Sequence, residues 1–125
     1  MPDSQSTPDL DLSFLYEIAD GSDEFVIESI DMLLQQAPEM LQSINDALKT
    51  QDWVTAAASA HKLKPSMGFF GMLISQELLQ DIEILCKAGG QEPAQITAKY
   101  TQAKELIENN LTALTRIKAE KEAGI

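Results

Sequence analysis

The sequence holds one cysteine, one histidine and no long hydrophobic run. Cys86 has no partner for an internal disulfide, and a lone thiol suits a reducing compartment. Without a Cys/His cluster there is no structural zinc site, and no metal site is expected. No window reaches the length of a transmembrane span. The start, Met-Pro-Asp-Ser-Gln-Ser-Thr-Pro-Asp, has neither the basic residues nor the apolar run of a signal peptide, so a soluble cytoplasmic protein is expected. Positive charge is also scarce: nine Lys and Arg stand against twenty acidic residues, a net charge of -11. That argues against nucleic acid or an anionic membrane as the main partner, because both demand a basic surface. There is no glycine-rich phosphate loop and no Mg²⁺ carboxylate set tied to one, which argues against an ATP-using enzyme.

The 125 residues form one domain by length, enough to bury a core without disulfides or metal. Residues 1–9 read as a polar tail with nothing to bury. Leu10, Leu12, Phe14, Leu15 and Ile18 then form a short apolar segment ending at Asp20-Gly21, a short first helix that lids a bundle. Ser22-Asp23-Glu24 is a helix start, a capping hydroxyl followed by acids where the helix dipole favours them. Behind it Val26, Ile30, Leu33, Ala37, Met40/Leu41, Ile44 and Leu48 recur at steps of three and four. The stripe stays in phase across Pro38, which predicts one bent helix.

Lys49 to Asp52 is a tight connection, so the next helix is antiparallel. It begins near Asp52-Trp53, with Trp53, Ala56, Ala60, Leu63 and Met67 as its stripe, and runs to about Gly68. After a bend at Gly68-Phe69-Phe70-Gly71, a further stripe of Ile74, Leu78, Leu79, Ile82, Leu85 and Cys86 ends at Gly89-Gly90. Pro93 opens the last helix in its first turn, with Ile96, Tyr100, Ala103, Ile107, Leu111, Leu114 and Ile117 as its stripe. No strand signal and no repeat is evident. The expected architecture is all-α, an antiparallel four-helix bundle with a short additional N-terminal helix over residues 10–118, followed by a frayed end at 119–125.

The most unusual stretch runs from Ala57 to Met72. It holds the only histidine, His61, with Lys62 and Lys64 close by and small residues all around: Ala57, Ala58, Ala60, Ser66, Gly68 and Gly71. At about 100° per residue, His61 lies roughly 120° from the middle of the buried face and should look outward. Ala57, Lys64, Pro65 and Gly68 share its flank, whereas Lys62 points elsewhere and tunes the wider field. The bland reading is a solvated histidine on an amphipathic helix. Against it, Pro65 and Gly68 are poor helix formers, and the ring is unusually bare. A neutral imidazole is nucleophilic near pH 7, its reference pKa being about 6.5. Phosphorylated, it would need a cation nearby, which Lys64 at i+3 can supply. Met67, Phe69, Phe70, Met72 and Trp53 read as packing, and Cys86 as part of a buried helix face.

Ala60-His61-Lys62-Leu63-Lys64-Pro65-Ser66-Met67-Gly68-Phe69-Phe70-Gly71 resembles the signature of histidine-containing phosphotransfer (HPt) domains. That pattern is His, any residue, apolar, Lys, two small residues, and a glycine about ten positions after the histidine. The acidic character, the short first segment and the Asp-Trp helix start are also similar, and the resemblance covers roughly residues 10 to 117. It implies that His61 is the phosphoacceptor and that Lys64 steadies the phosphoryl group. The group would come from an aspartyl phosphate on the receiver domain of a hybrid sensor kinase and pass to the receiver domain of a response regulator. The Mg²⁺ would sit on the receiver, so the chain would be a monomeric carrier with no cofactor or ATP site of its own rather than an enzyme. Ala57, Ala58, Pro65 and Gly68 would form the access surface.

The alternative is a helical interaction module of the same fold that binds receiver domains without transferring phosphate. Two positions depart from the family pattern. Pro65 stands where a small residue is usual, and it removes the backbone bond to the His61 carbonyl, which should bend the helix. Glu83 stands where a glutamine often contacts the histidine. A carboxylate there would orient the ring, repel the phosphoryl group, or simply be a solvated acid.

Overall fold

In the computed structural model, residues 6–7 and 9–124 are described. The N-terminal segment makes a minimal antiparallel ribbon, β1 (Ser6–Thr7) against β2 (Leu10–Asp11), with Ser6 opposite Asp11 and Thr7 opposite Leu10. Five helices follow: α1 (Ser13–Ala19), α2 (Asp23–Lys49), α3 (Trp53–Phe69), α4 (Leu73–Lys87) and α5 (Pro93–Ala123). The last four form a closed square in which α2 packs on α3, α3 on α4, α4 on α5, and α5 back on α2. The short α1 packs against α2 at one end. This is the expected four-helix bundle with an extra N-terminal helix.

The boundaries follow from local chemistry. Ser22 Oγ accepts the Phe25 N–H at 3.1 Å, capping α2 with Asp23 and Glu24 in its first turn. Asp52 caps α3 by accepting from the Thr55 N–H at 3.1 Å and the Thr55 hydroxyl at 2.7 Å. These two bonds from Thr55 hold the Asp52 carboxyl below the usual carboxylate range. Helix α4 ends at Gly89 and Gly90, both at positive φ. Gly90 also has to be glycine for space, since the place of its missing Cβ is filled by the Trp53 indole. Pro38 and Pro65 both lie inside uninterrupted helices, Pro38 exposed to solvent on α2. Each leaves one carbonyl of the preceding turn without its helical donor.

The core is built from the expected stripes, including Val26, Ile30, Leu33, Ile44, Leu63, Met67, Leu79, Ile82, Ile107 and Leu114. Several positions differ from expectation. Trp53, Leu48, Leu85 and Leu111 are only half-buried, and Ile74 is exposed. Ser75 and Asn110 are buried in their neighbourhood because both serve Asp9. The Asp9 carboxylate accepts from the Ile74 N–H (2.6 Å), the Ser75 N–H (3.0 Å), the Ser75 hydroxyl and Asn110 Nδ2 (3.0 Å). Met72, at the N-cap of α4, brings no side-chain cap, so Asp9 caps that helix from outside it.

Asp9 is therefore part of the fold, 2% exposed, and not the end of a solvated tail. Leu10 and Leu12 follow it into the core. Of the rest of the expected tail, residues 1–5 and 8 lie outside the described residues. The two-residue strands are a further correction, being too short for an alternation pattern to reveal. At the other end, the expected fraying gives way to helix through Ala123. There Lys121 pairs with Asp23 at 3.2 Å and lies over the Tyr16 ring at 4.9 Å.

Candidate functional site

The α3 helix carries His61, and its buried arc is wider than a single stripe because it packs on both α2 and α4. Ala56, Ala57, Ser59, Ala60, Leu63 and Met67 are all buried. Most of these side chains are small, which lets both neighbours approach closely, and Ser59 Oγ meets Ser43 Oγ of α2 at 2.7 Å. Ala57 is thus corrected from the open flank to the interior, at 4% exposure. Its companion Ala58 is exposed, as is Pro65. Gly68 is half-buried, and a Cβ there would come within 2.6 Å of Gln76 Nε2. Its smallness therefore admits an α4 side chain rather than a partner. Gln76 Nε2 donates to the Lys64 carbonyl at 3.3 Å.

The imidazole of His61 stands out from the bundle, its side chain 64% exposed, as the helical wheel predicts. Its Nδ1 lies 2.9 Å from Oε2 of Glu83. Glu83 is neither solvated nor peripheral: its side chain is 6% exposed, and it gathers three partners. Lys64 Nζ donates to Oε1 at 2.7 Å, while Lys87 Nζ donates at 2.7 Å to Oε2, the oxygen that also meets His61. Lys64 Nζ in addition donates to Gln80 Oε1.

The hydrogen bonds from Lys64 and Lys87 drive the Glu83 carboxyl down to about 2, overcoming the opposing effect of burial. An ionised carboxylate has no proton to give, so Nδ1 of His61 is the donor in their contact. In the neutral ring this fixes the proton on Nδ1 and leaves the lone pair on Nε2. Among the described residues, Glu83 is the only hydrogen-bond partner of the His61 ring. The site is therefore an exposed nucleophilic nitrogen on a ring anchored from behind by a buried anion.

Beside the ring lies an open hollow of about 630 Å³, bordered by Val54, Ala58, His61, Lys62 and Lys87 and floored by Ala57 and Cys86. Lys62, expected to point elsewhere, shares this hollow with His61. Cys86 is buried, and burial pushes its thiol up, in keeping with a packing role. Among the described residues no three His, Cys, Asp or Glu side chains converge to hold a metal ion.

The structure joins His61, Lys64 and Glu83 in one cluster and adds three residues that the sequence reading passed over: Gln76, Gln80 and Lys87. Their signal was present, since Gln76, Gln80, Glu83 and Lys87 recur at steps of four, three and four, the pattern of one helix face.

A four-helix bundle that displays an anchored, open imidazole on one helix is built like a histidine phosphocarrier. The family model of the Hpt domain matches residues 28–117, and the chain belongs to that family. Hpt domains are helical bundles that act in phosphorelay signalling by histidine phosphotransfer, interact with receiver domains and have no ATP site. Comparison with curated proteins and with solved structures found no match. Among the described residues, no helix is long and apolar enough to cross a membrane.

Proposed function

We propose that this chain is a phosphorelay intermediate. His61 accepts a phosphoryl group from the aspartyl phosphate of one receiver domain and passes it to the aspartate of a response-regulator receiver domain. The observation that carries this reading is the 2.9 Å contact between His61 Nδ1 and buried Glu83, on a ring otherwise open to solvent.

In the transfer step, the Nε2 lone pair attacks phosphorus as the P–O bond to the donor aspartate breaks. The bonding pair leaves with that carboxylate, and an N–P bond forms at Nε2. The ring becomes cationic, with its proton still on Nδ1, and ionised Glu83 stabilises it. Attack by the next receiver's aspartate reverses these events, with the ring as leaving group. Lys64, 2.7 Å from Glu83, offsets the carboxylate's repulsion of the incoming oxygens. Mg²⁺ belongs on the receiver, and the transfer needs no cofactor of this chain. The carrier works as a monomer in the cytoplasm, with exposed Ala58 and Pro65 beside the ring as the ground on which the receiver settles.

The test is incubation with a phosphorylated receiver domain and Mg²⁺. Label should move to His61 and be absent from His61→Gln. Label retained by His61→Gln would sink the assignment. Receiver binding without any transfer would favour a non-transferring module instead.

A further inference from the structure

Two lysines surround Glu83, although one suffices to neutralise it, and they are placed very differently. The Lys64 side chain is 20% exposed, and its ammonium is held between Glu83 and Gln80 in the α3–α4 seam. Lys87 is the last residue of α4, its side chain 65% exposed, and it borders the open hollow shared with His61. Its Nζ and His61 Nδ1 meet the same Glu83 oxygen, at 2.7 and 2.9 Å.

We infer that Lys87 is the residue that contacts the phosphoryl group on His61, exchanging Glu83 for phosphoryl oxygens when the ring is phosphorylated. This rests on the phosphocarrier reading above and divides the labour between the lysines. Phosphorylation brings about two negative charges to the mouth of the hollow. Lys64 cannot follow them without leaving Gln80 and stripping Glu83 of its buried partner. Lys87 can: four methylenes carry its ammonium, water already surrounds most of it, and Lys64 stays behind on Oε1. The same exchange relieves Glu83 Oε2 of one donor as the ring becomes cationic, so His61 gains what Lys87 gives up. Lys87 is thus a switchable cation and Lys64 a fixed one.

The test uses the full chain phosphorylated by phosphoramidate, a small donor that needs no partner protein. The lifetime of the phosphohistidine is followed by ³¹P NMR, and the lysine Nζ signals by ¹⁵N NMR. A charge-assisted contact at a partly exposed site should lengthen the lifetime by about three- to tenfold. Lys87→Ala should lose that factor and Lys87→Arg should recover most of it. The Lys87 Nζ signal should move on phosphorylation while that of Lys64 stays nearly still. Equal lifetimes in wild type and Lys87→Ala, or a Lys87 signal unmoved by phosphorylation, would overturn the inference and leave the carrier reading intact. Failure of the wild type to form any phosphohistidine would overturn both.

Discussion

Replacing Glu83 by glutamine keeps its shape and removes its charge, which isolates the electrostatic contribution of the cluster. Glu83 ionises at about 2 in the fold against 4.5 for a free glutamate. That difference corresponds to about 3 kcal/mol at neutral pH. Much of it is screened, because Lys87, which meets Oε2, has its side chain 65% exposed. Against that, the amide leaves half-buried Lys64 facing a neutral group, with Lys87 and the imidazole close by. A net loss of about 1.5 kcal/mol is expected at pH 7, or roughly 3–8 °C in melting temperature for a domain of this size.

The pH dependence gives the sharper criterion. The folded carboxyl titrates below its unfolded value, so its stabilisation is complete above about pH 4.5 and is lost as pH falls towards 2. Urea unfolding of wild type and Glu83→Gln, followed by circular dichroism from pH 8 to pH 3, should give a constant difference down to about pH 5. More than half of it should vanish by pH 3. A variant as stable as wild type at pH 7 would refute the reasoning, as would a difference that persists undiminished at pH 3.

Two other substitutions probe the distant cap of α4 and the proline next to Lys64. Asp9→Ala leaves the Ile74 and Ser75 N–H groups and the Asn110 amide short of an acceptor in a buried setting, so a loss of about 2–4 kcal/mol is expected in urea titrations. Asp9→Asn, which keeps one acceptor oxygen, should lose less. Pro65→Ala restores the N–H that the His61 carbonyl lacks at a solvent-exposed position. Proline inside a helix costs about 3 kcal/mol, offset by about 1 kcal/mol of reduced freedom in the unfolded chain. The alanine variant should therefore unfold about 2 kcal/mol later while keeping His61 phosphorylation. Loss of stability on this change would show that the ring of Pro65 packs on a neighbour.

The residues that the sequence made legible are those whose role depends on direction along one helix. A wheel places His61 outward and Leu63 and Met67 inward because periodicity alone determines which side a residue takes. It cannot say how many neighbours a helix has, and that number decides Ala57. With α2 and α4 both against α3, the buried arc widens until Ala57 falls within it. Glu83 shows the same limit from the other side. At its position a solvated acid and a buried anchor have identical spacing, and burial is decided by cations reaching it from two helices. One of those, Lys87, was readable as an i,i+4 partner; the other, Lys64, became one only once α3 and α4 had paired. Asp9 was the least accessible of all, since its partners lie 65 to 101 residues away. No local pattern distinguishes a capping aspartate for a distant helix from the end of a polar tail. The exposed side of the cluster is thus written locally, while what holds it in place is written across the fold. For that reason the motif around His61 marks the exposed imidazole and leaves its electrostatic support to be found in three dimensions.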